Sequence, residues 1–288
     1  MTASMIAPLA THAASLGNTV PRTLLDGIPI SRMGFRESLA RLESWFESTS
    51  FRRVATANMD FLRQAEKHAE LRRALQTASL VTADGMPLVW LSHLVDQPIA
   101  ERVAGSDLVL PLLERAERNG IGVFLLGSSP QVLAKIRGLI DARFPRLRLA
   151  GTFGGKVDID DASAMAALTE DIRATRTGLL LVALGCPKQE LFLSRYGAET
   201  GASVGIGIGA SLDFLAGCQR RAPEILQRTG LEWAYRLFRE PRRLAARYVQ
   251  SAAYLGRLAG RMALASLLDA VTRQRGRLRA PKATGQRA

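Results

Sequence analysis

The stretch that decides the fold runs from Leu179 to Glu190 and has the sequence LLLVALGCPKQE. Its first half, residues 179–184, is an uninterrupted apolar run, which is typical of a strand buried on both faces of a parallel sheet. The run ends at Gly185-Cys186-Pro187, and the polar cluster Lys188-Gln189-Glu190 follows. Ligands of open α/β sheets bind just beyond the carboxyl ends of the strands. The polar cluster is therefore a candidate site.

Polar groups also follow three other predicted strands. Because the carboxyl ends of parallel strands meet at one edge of a sheet, these groups and the 188–190 cluster predict one shared site. The groups are Thr56 and Asn58 after a strand near Val54, Asp84 after residues 80–83, and Gly127-Ser128-Ser129 after residues 121–126.

Strands and amphipathic helices alternate along most of the chain, which predicts an α/β fold with a Rossmann-like parallel sheet flanked by helices. Before the alternation begins, residues 23–30 resemble two paired strands that turn at Asp26-Gly27. One helix carries its own start signal, a Ser129 cap followed by Pro130. Strands are predicted near residues 53–56, 80–83, 121–126, 147–150, 179–184 and 203–208, and helices at 35–47, 131–143 and 162–175.

The strand pattern stops at Pro223, and a basic helical appendage follows. Its longest predicted helix runs from about Arg242 past Leu268, with apolar residues at helical spacing on one face. Shorter helices are predicted at 224–228 and 231–238. The sequence therefore divides into a disordered N-terminus at 1–22, an α/β catalytic domain at 23–222, a membrane-associating helical appendage at 223–270 and a disordered basic tail at 271–288.

The positive charge of the chain is concentrated near its C-terminus. The formal net charge is +13, and residues 239–288 hold eleven Arg and one Lys against two acidic residues, a difference of +10. A localised basic segment indicates an anionic partner, either lipid headgroups or nucleic acid. No stretch has the roughly 18 to 20 uncharged apolar residues of a membrane span, and the start of the chain lacks the basic region of a signal peptide. These features predict a cytoplasmic protein.

The sequence offers little support for a metal site or a cysteine nucleophile. Cys186, Cys218 and the three histidines lack the spacing of metal ligands. Asp158-Ile159-Asp160 resembles the Asp-x-Asp pattern that holds divalent metals, but acidic residues before a helix also serve as caps. Cys186 is either a nucleophile or a small packed side chain. We expect neither a metal nor a cofactor.

Three further motifs each allow two interpretations. Gly127-Ser128-Ser129-Pro130 joins a strand to a helix, so its amides either hold a phosphate or form an ordinary turn. Residues 205–210 resemble a dinucleotide loop, but their glycine spacing favours a close-packed strand end. Asp84 is either a general base at the sheet edge or a cap for the following helix. Nearby, Arg102 would supply a cation for a diphosphate.

Taken together, these motifs resemble those of the WecG/TagA/CpsF family, glycosyltransferase family 26, whose members make bacterial surface polysaccharides. The resemblance spans roughly residues 23–248. Two departures, at Thr177-Gly178 and at Gly154-Gly155-Lys156-Val157, bear on the sugar rather than on the reaction. The ordered set of motifs is specific, and its matching segments include Thr56-Ala57-Asn58, Ala83-Asp84-Gly85, Glu101-Arg102, Gly185-Cys186-Pro187-Lys188-Gln189-Glu190, Leu231-Glu232-Trp233, Tyr235-Arg236-Leu237 and Glu240-Pro241-Arg242-Arg243.

The resemblance implies an inverting, metal-independent hexosyltransferase that acts in surface polysaccharide or exopolysaccharide synthesis. Its donor would be a UDP-sugar, and its acceptor would be a polyprenyl-diphosphate-linked saccharide. The enzyme would lie on the inner face of the cytoplasmic membrane, with its basic appendage against the anionic surface. The donor sugar stays open among N-acetylmannosamine, its uronic acid and glucose, and the acceptor saccharide stays open as well.

The resemblance also implies roles for individual residues. Asp84 would accept the proton of the acceptor hydroxyl, and Arg102 would lie near the charge of the diphosphate or the acceptor. Thr56, Asn58 and Gln189 would orient the sugars. The candidate UDP-sugar contacts are Gly127, Ser128, Gly185, Lys188, Glu190, Gly209, Arg236, Arg243 and Arg247.

Two other classes of protein share single features with this chain. The basic tail fits a nucleic-acid-binding protein, but aromatic residues make up only 6% of the chain and no base-reading module is recognisable, so no nucleic-acid partner is expected. The α/β alternation fits a nicotinamide-dependent oxidoreductase, but an early Gly-x-Gly-x-x-Gly is missing. An exposed apolar face on the appendage would favour a homo-oligomer.

Overall fold

A six-stranded parallel sheet with helices on both faces forms the body of the protein. The computed structural model describes residues 19–219, 222–223, 225–226 and 230–279, apart from the side chains of Arg243 and of residues 269–279. The sheet confirms the predicted α/β class. The disorder predicted for residues 1–18 and 280–288 lies outside the described residues.

The strands fall close to their predicted positions. β6 begins two residues later than predicted, because Leu147 closes the turn after the preceding helix and its amide donates to the carbonyl of Phe144. The strands are β1 (Arg22–Leu25), β2 (Ile28–Ser31), β3 (Arg52–Ala57), β4 (Leu80–Ala83), β5 (Val123–Gly127), β6 (Leu149–Phe153), β7 (Leu179–Ala183) and β8 (Val204–Gly207).

The order of strands in the large sheet is β4, β3, β8, β7, β5, β6. The apolar strand β7 lies inside the sheet between β8 and β5, and its residues 179–182 are fully buried. All adjacent pairs run parallel. Residues that follow Ala57, Ala83, Gly207 and Ala183 therefore emerge at the same edge.

Helices connect these strands and cover both faces of the sheet. Side chains of Asn58, Ser129 and Asp161 cap three of the helices, as the polar residues at these positions favour. The helices of the body are α1 (Phe35–Ser44), α2 (Met59–Lys67), α3 (Ala69–Gln76), α4 (Met86–Ser92), α5 (Gly105–Arg118), α6 (Pro130–Arg143), α7 (Ala162–Ala174), α8 (Lys188–Arg195) and α9 (Ser211–Leu215).

The predicted strand pair at the start of the chain is confirmed as an antiparallel hairpin of β1 and β2. It turns at Asp26 and Gly27, which have φ angles of 50° and 74°. Leu25, Ile28 and Ile30 are fully buried and pack with α2 and α3 in one apolar cluster. The hairpin is therefore part of the body.

Two further helices form the C-terminal appendage, α10 (Glu232–Arg239) and α11 (Pro241–Arg279). Tyr254 and Leu258 of α11 join the buried cluster under the hairpin. α11 continues nine residues beyond position 270, where the sequence pattern placed the start of the tail. Of the helix predicted at 224–228, only residues 225–226 lie within the described part. Among the described residues, no helix is both long enough and apolar enough to cross a bilayer.

Candidate active site

A cavity of about 800 Å³ lies beyond the carboxyl ends of β3, β4, β7 and β8. The body supplies its floor, and the appendage supplies one wall through Tyr235, Arg236 and Arg247. Eight of the predicted site residues line it: Thr56, Asn58, Asp84, Gly185, Gln189, Gly209, Arg236 and Arg247. The expectation of one shared site at this edge thus holds for three of the four strand ends.

Asp84 lies deep in this cavity, directly after β4. Its Oδ2 accepts a hydrogen bond of 3.2 Å from the backbone N–H of Gly105. No side chain caps α4, whose N-cap is Gly85, so the interpretation of Asp84 as a helix cap is wrong. Burial raises the pKa of Asp84 to about 6, although the nearby cations of Arg102 and Arg236 act to lower it. A carboxyl with this pKa is largely ionised at neutral pH and can accept a proton.

Thr56 and Asn58 are held in place by backbone groups. The Thr56 hydroxyl donates to the carbonyl of Gly207 at 2.8 Å, which ties β3 to β8. The Asn58 Oδ1 accepts from the amides of Asp60 and Phe61 at the start of α2. These bonds use the Thr56 proton and the Asn58 carbonyl, so Thr56 presents an acceptor to the cavity and Asn58 presents its NH₂ group.

Gln189 occupies the first turn of α8 at the end of β7. Its Oε1 accepts from the amides of Gly185 at 3.2 Å and Gly209 at 3.1 Å. The side chain therefore joins the loops that follow β7 and β8. These two contacts also place Gly185 and Gly209 at the cavity wall.

Two cations near Asp84, Arg102 and Arg236, are held by carboxylates of the protein. Arg102 pairs with Asp107 at 2.8 Å and lies 4.0 Å from Glu232, and Glu232 also pairs with Arg236. The Arg236 guanidinium stacks over the ring of Phe214, with its carbon 4.8 Å from the ring centroid. Glu232 of α10 thus brings a cation of the body and a cation of the appendage to the same side of Asp84.

Four predicted donor contacts do not line the cavity. Gly127 ends β5 and Ser128 follows it. Because β5 lies outside β7 in the sheet, both residues are one strand further from Asp84 than the residues that follow β7. The Lys188 Nζ turns away and donates to the carbonyl of Val157 at 2.9 Å. Glu190 is only 3% exposed, and its Oε1 accepts a hydrogen bond from the Gln189 Nε2. The side chain of Arg243 is outside the described residues.

Neither the cysteine nor the Asp-x-Asp pattern provides reactive chemistry. Burial raises the pKa of the Cys186 thiol, and the neighbouring Glu190 raises it further, so the thiol stays protonated. Asp160 pairs with Arg195 at 2.7 Å, and the cap of α7 is Asp161. Within the described part of the chain, no three His, Cys, Asp or Glu side chains are grouped as metal ligands.

The sequence assigned no role to several residues that line the cavity. Tyr235, Phe238 and Arg239 reach the cavity from α10, and Phe214 reaches it from α9. The aromatic and basic residues near Arg236 could have indicated further cavity residues on α10, because residues three or four positions apart share one face of a helix.

A second, apolar groove of about 310 Å³ adjoins the cavity between α4 and the appendage. Asn58, Asp84, Arg236 and Arg247 line both spaces, so the groove opens beside the carboxyl of Asp84. Arg102 lines the groove rather than the main cavity. The apolar walls of the groove are formed by Met86, Pro87, Trp90, Trp233, Tyr248 and Leu255.

Comparison with known proteins identifies the family of the chain. Residues 22–266 match the model of the glycosyl transferase WecG/TagA/CpsF family. A protein of Bacillus spizizenii strain W23 named N-acetylglucosaminyldiphosphoundecaprenol N-acetyl-beta-D-mannosaminyltransferase is 31% identical over 221 residues, which cover 75% of this chain and 84% of that protein. A protein of Staphylococcus aureus strain MW2 with the same name is 28% identical over 220 residues, covering 76% of this chain and 85% of that protein. The chain belongs to the WecG/TagA/CpsF family of glycosyltransferases.

Proposed function

We propose that this glycosyltransferase moves a sugar from a UDP-sugar to a saccharide linked to a polyprenyl diphosphate, with inversion at the anomeric carbon. The observation that carries the proposal is the position of Asp84, whose pKa is raised to about 6 at the junction of a polar cavity and an apolar groove. The two named relatives act, by their names, on a diphosphoundecaprenol-linked sugar. A polar nucleotide-sugar and a lipid-linked acceptor would need two adjoining spaces of this kind.

Asp84 is the proposed general base. Its carboxylate takes the proton of the acceptor hydroxyl while that oxygen attacks the anomeric carbon of the donor. The bond from this carbon to the diphosphate breaks, and UDP leaves from the opposite face of the sugar. Thr56, Asn58 and Gln189 bind and orient the reacting sugars. General-base catalysis of this kind contributes about 10²- to 10⁴-fold in rate.

The leaving diphosphate gains negative charge, and arginines of the appendage are placed to stabilise it. Arg236 and Arg247 line the main cavity beside Gly185 and Gly209. Guanidinium groups suit this task because they bind phosphate oxygens through two parallel hydrogen bonds. The donor diphosphate would therefore lie between the glycine loops of the body and α10. Arg243 remains a candidate for the same contact.

The apolar groove is the proposed place of the acceptor lipid. Arg102 lies at its inner end beside Asp84, where it would pair with the acceptor diphosphate. Trp90 and Trp233 are 48% and 43% exposed along its walls, and apolar walls of this kind suit an isoprenoid chain. This arrangement directs the saccharide toward the base and the hydrocarbon toward the outside.

The appendage is also the proposed membrane contact, which would place the enzyme on the inner face of the cytoplasmic membrane. Residues 264–288 hold five Arg and one Lys against one Asp, and basic residues near an anionic surface contribute about 1 kcal/mol each. Leu264 and Leu267 are 58% and 65% exposed on α11. The same apolar surface would favour a homo-oligomer away from a membrane. In domain terms, residues 23–222 would carry catalysis and 223–270 would carry attachment.

The proposal is tested by measuring UDP release from a panel of UDP-sugars in EDTA, with and without a short-chain lipid-diphosphate saccharide. The panel includes UDP-N-acetylmannosamine, its uronic acid and UDP-glucose. Acceptor-dependent release with one donor is the expected result. If the acceptor increases UDP release from none of the donors in the panel, the result would count against the transfer reaction. A requirement for magnesium or manganese would count against metal independence.

A further inference from the structure

Glu190 is a buried carboxyl for which the proposed reaction has no direct use. It is 3% exposed and lies behind the cavity wall, next to the backbone of β8. Its Oε1 accepts a hydrogen bond of 2.7 Å from the Nε2 of Gln189. The Cys186 thiol is a second polar neighbour of the carboxyl. A buried carboxyl without a role in binding is costly, so its position calls for a physical reason.

The hydrogen bonds of Gln189 supply that reason. The amides of Gly185 and Gly209 occupy both acceptor sites of its Oε1, and Glu190 takes one of its two Nε2 hydrogens. Among the described residues, no acceptor is found for the second Nε2 hydrogen. Gln189 lines the cavity although it is only 1% exposed. The second Nε2 hydrogen is therefore the one polar group of this side chain left for a ligand, and three bonds to the protein fix the amide that carries it.

The backbone of β8 allows this arrangement because position 207 is a glycine. A Cβ at Gly207 would lie 2.5 Å from the Gln189 Nε2 and 2.9 Å from the Glu190 Oε1. Any residue larger than glycine at position 207 would displace the side chains of Gln189 and Glu190. The sequence thus brings a glycine of β8 into contact with an amide and a carboxyl in the first turn of α8.

We propose that Glu190 is a positioning residue, which holds the Gln189 amide so that its remaining N–H binds an oxygen atom of the donor sugar. This inference rests on the proposed donor site and adds a specificity rule to it. A site that presents only a donor at this point favours a hydroxyl or carbonyl oxygen of the sugar and disfavours an analogue that lacks this oxygen.

The charge state of Glu190 suits this task. Burial raises its pKa to about 8, so at neutral pH the carboxyl is mostly protonated and places little negative charge behind the donor diphosphate. A glutamine at position 190 would keep both the shape and the neutral charge, and its Oε1 would still accept from Gln189. Glu190→Gln is therefore the matched control for Glu190→Met, which removes the acceptor.

The kinetic test compares these two variants by their kcat and KM for the UDP-sugar. Glu190→Met is expected to lower kcat/KM by about 10-fold, because a hydrogen bond that fixes the amide is lost, whereas Glu190→Gln stays within about threefold of the parent. In the background of Gln189→Ala, Glu190→Met is expected to have no further effect, because a residue that acts through Gln189 loses its target.

A readout independent of turnover is the NMR signal of the Gln189 side-chain NH₂, assigned by its absence in Gln189→Ala. We expect this signal to exchange slowly with solvent in the parent and in Glu190→Gln, and rapidly in Glu190→Met. Additive losses in the double variant would overturn the proposal. The proposal would also be overturned if Glu190→Gln and Glu190→Met lowered kcat/KM equally and left the NH₂ signal unchanged. The Glu190 carboxyl would then act without Gln189.

Discussion

Asp84 experiences two opposing influences on its charge. Its position deep in the cavity disfavours the carboxylate, while the cations of Arg102 and Arg236 favour it. The resulting pKa of about 6 leaves the group ionised at neutral pH and still basic enough to take a proton. An aspartate on the open surface would be ionised but a weaker base. The environment at the end of β4 therefore makes this residue suitable for catalysis.

The pH dependence of the reaction follows from this value. Because the base must be deprotonated, kcat/KM is expected to fall about tenfold for each pH unit below 6 and to level off above 7. Asp84→Asn is expected to lose about 10²- to 10⁴-fold in kcat and to keep its affinity for UDP in a binding titration. A flat profile between pH 5 and 8 in the parent, or near-normal turnover in Asp84→Asn, would remove Asp84 from this role.

Gly207 permits the close approach of Gln189 and Glu190 to β8. Gly207→Ala is expected to lower kcat/KM for the donor by about 10-fold or more, because the new methyl group would displace both side chains. Gly256→Ala, at a position with no atom within 4 Å of the added Cβ, is the control and is expected to leave kcat/KM unchanged. An unaffected kcat/KM in a folded Gly207→Ala variant would contradict the described contact.

At the scale of the element, α11 is apolar on two opposite faces. One face carries Tyr254 and Leu258 into the core cluster beneath the hairpin. The opposite face exposes Val249 and Leu267, which are 18 residues, or about five helical turns, apart. A helix that only covered the body would be polar on its outer face. The second apolar face indicates a further partner for the helix.

Tyr254 anchors α11 to the hairpin. Its hydroxyl donates to the Asp26 Oδ2 at 2.7 Å, and Arg72 binds the same oxygen at 2.9 Å. Tyr254→Phe is expected to lower the free energy of unfolding by about 1 to 2 kcal/mol and to raise KM for the donor more than it lowers kcat, since Arg247 lies on the same helix. Thermal denaturation and initial rates measure the two effects.

Tyr196→Phe is the matched control for this prediction. This substitution also removes a single hydrogen bond, which the Tyr196 hydroxyl donates to the carbonyl of Ile159 at 3.0 Å. Tyr196 lies at the end of α8, away from the appendage. We expect a similar loss of stability with an unchanged KM. Equal KM changes in both variants would show that the effect on KM is a general loss of stability.

At the scale of the whole molecule, charge and catalysis are separated along the chain. Residues 239–288 carry +10 of the net charge of +13, while the body supplies the proposed base, Asp84, and the floor of the cavity. The appendage contributes to both regions, because α10 and the start of α11 line the cavity while the exposed leucines lie near the far end of α11. In the proposed function, one continuous segment would therefore couple membrane attachment to donor binding.

Removal of residues 264–288 separates these two tasks. This truncation keeps Tyr254 and Leu258 in the core and removes the exposed leucines together with six of the twelve basic residues of segment 239–288. We expect the binding free energy for anionic vesicles, measured by co-sedimentation, to weaken by several kcal/mol, at about 1 kcal/mol per basic residue removed. Transfer to a water-soluble acceptor is expected to stay normal. Undiminished vesicle binding would place the membrane contact elsewhere.

A double substitution, Leu264→Ser with Leu267→Ser, distinguishes the apolar contribution from the charge. It is expected to weaken binding to neutral and anionic vesicles alike, whereas added salt should weaken only the anionic case. If salt alone abolishes binding of the parent, the exposed leucines contribute nothing to attachment.

The sequence by itself determined the class of fold and most of the strand and helix positions, because the patterns that mark them are local. Apolar runs such as 179–184, alternating helices and caps such as Ser129 depend only on neighbouring residues. The same patterns predicted Thr56, Asn58, Asp84 and Gln189 at one edge of the sheet, and all four line one cavity.

Only the tertiary structure decided the order of the strands and the direction of side chains at their ends. β8, the last strand of the chain, lies between β3 and β7, which brings Gly209 to Gln189 and leaves Gly127 one strand further out. Gln189 and Glu190 are adjacent in the sequence and both are almost fully buried, yet only Gln189 lines the cavity. Strand order and burial depend on contacts between distant segments, and no local pattern in the sequence encodes them.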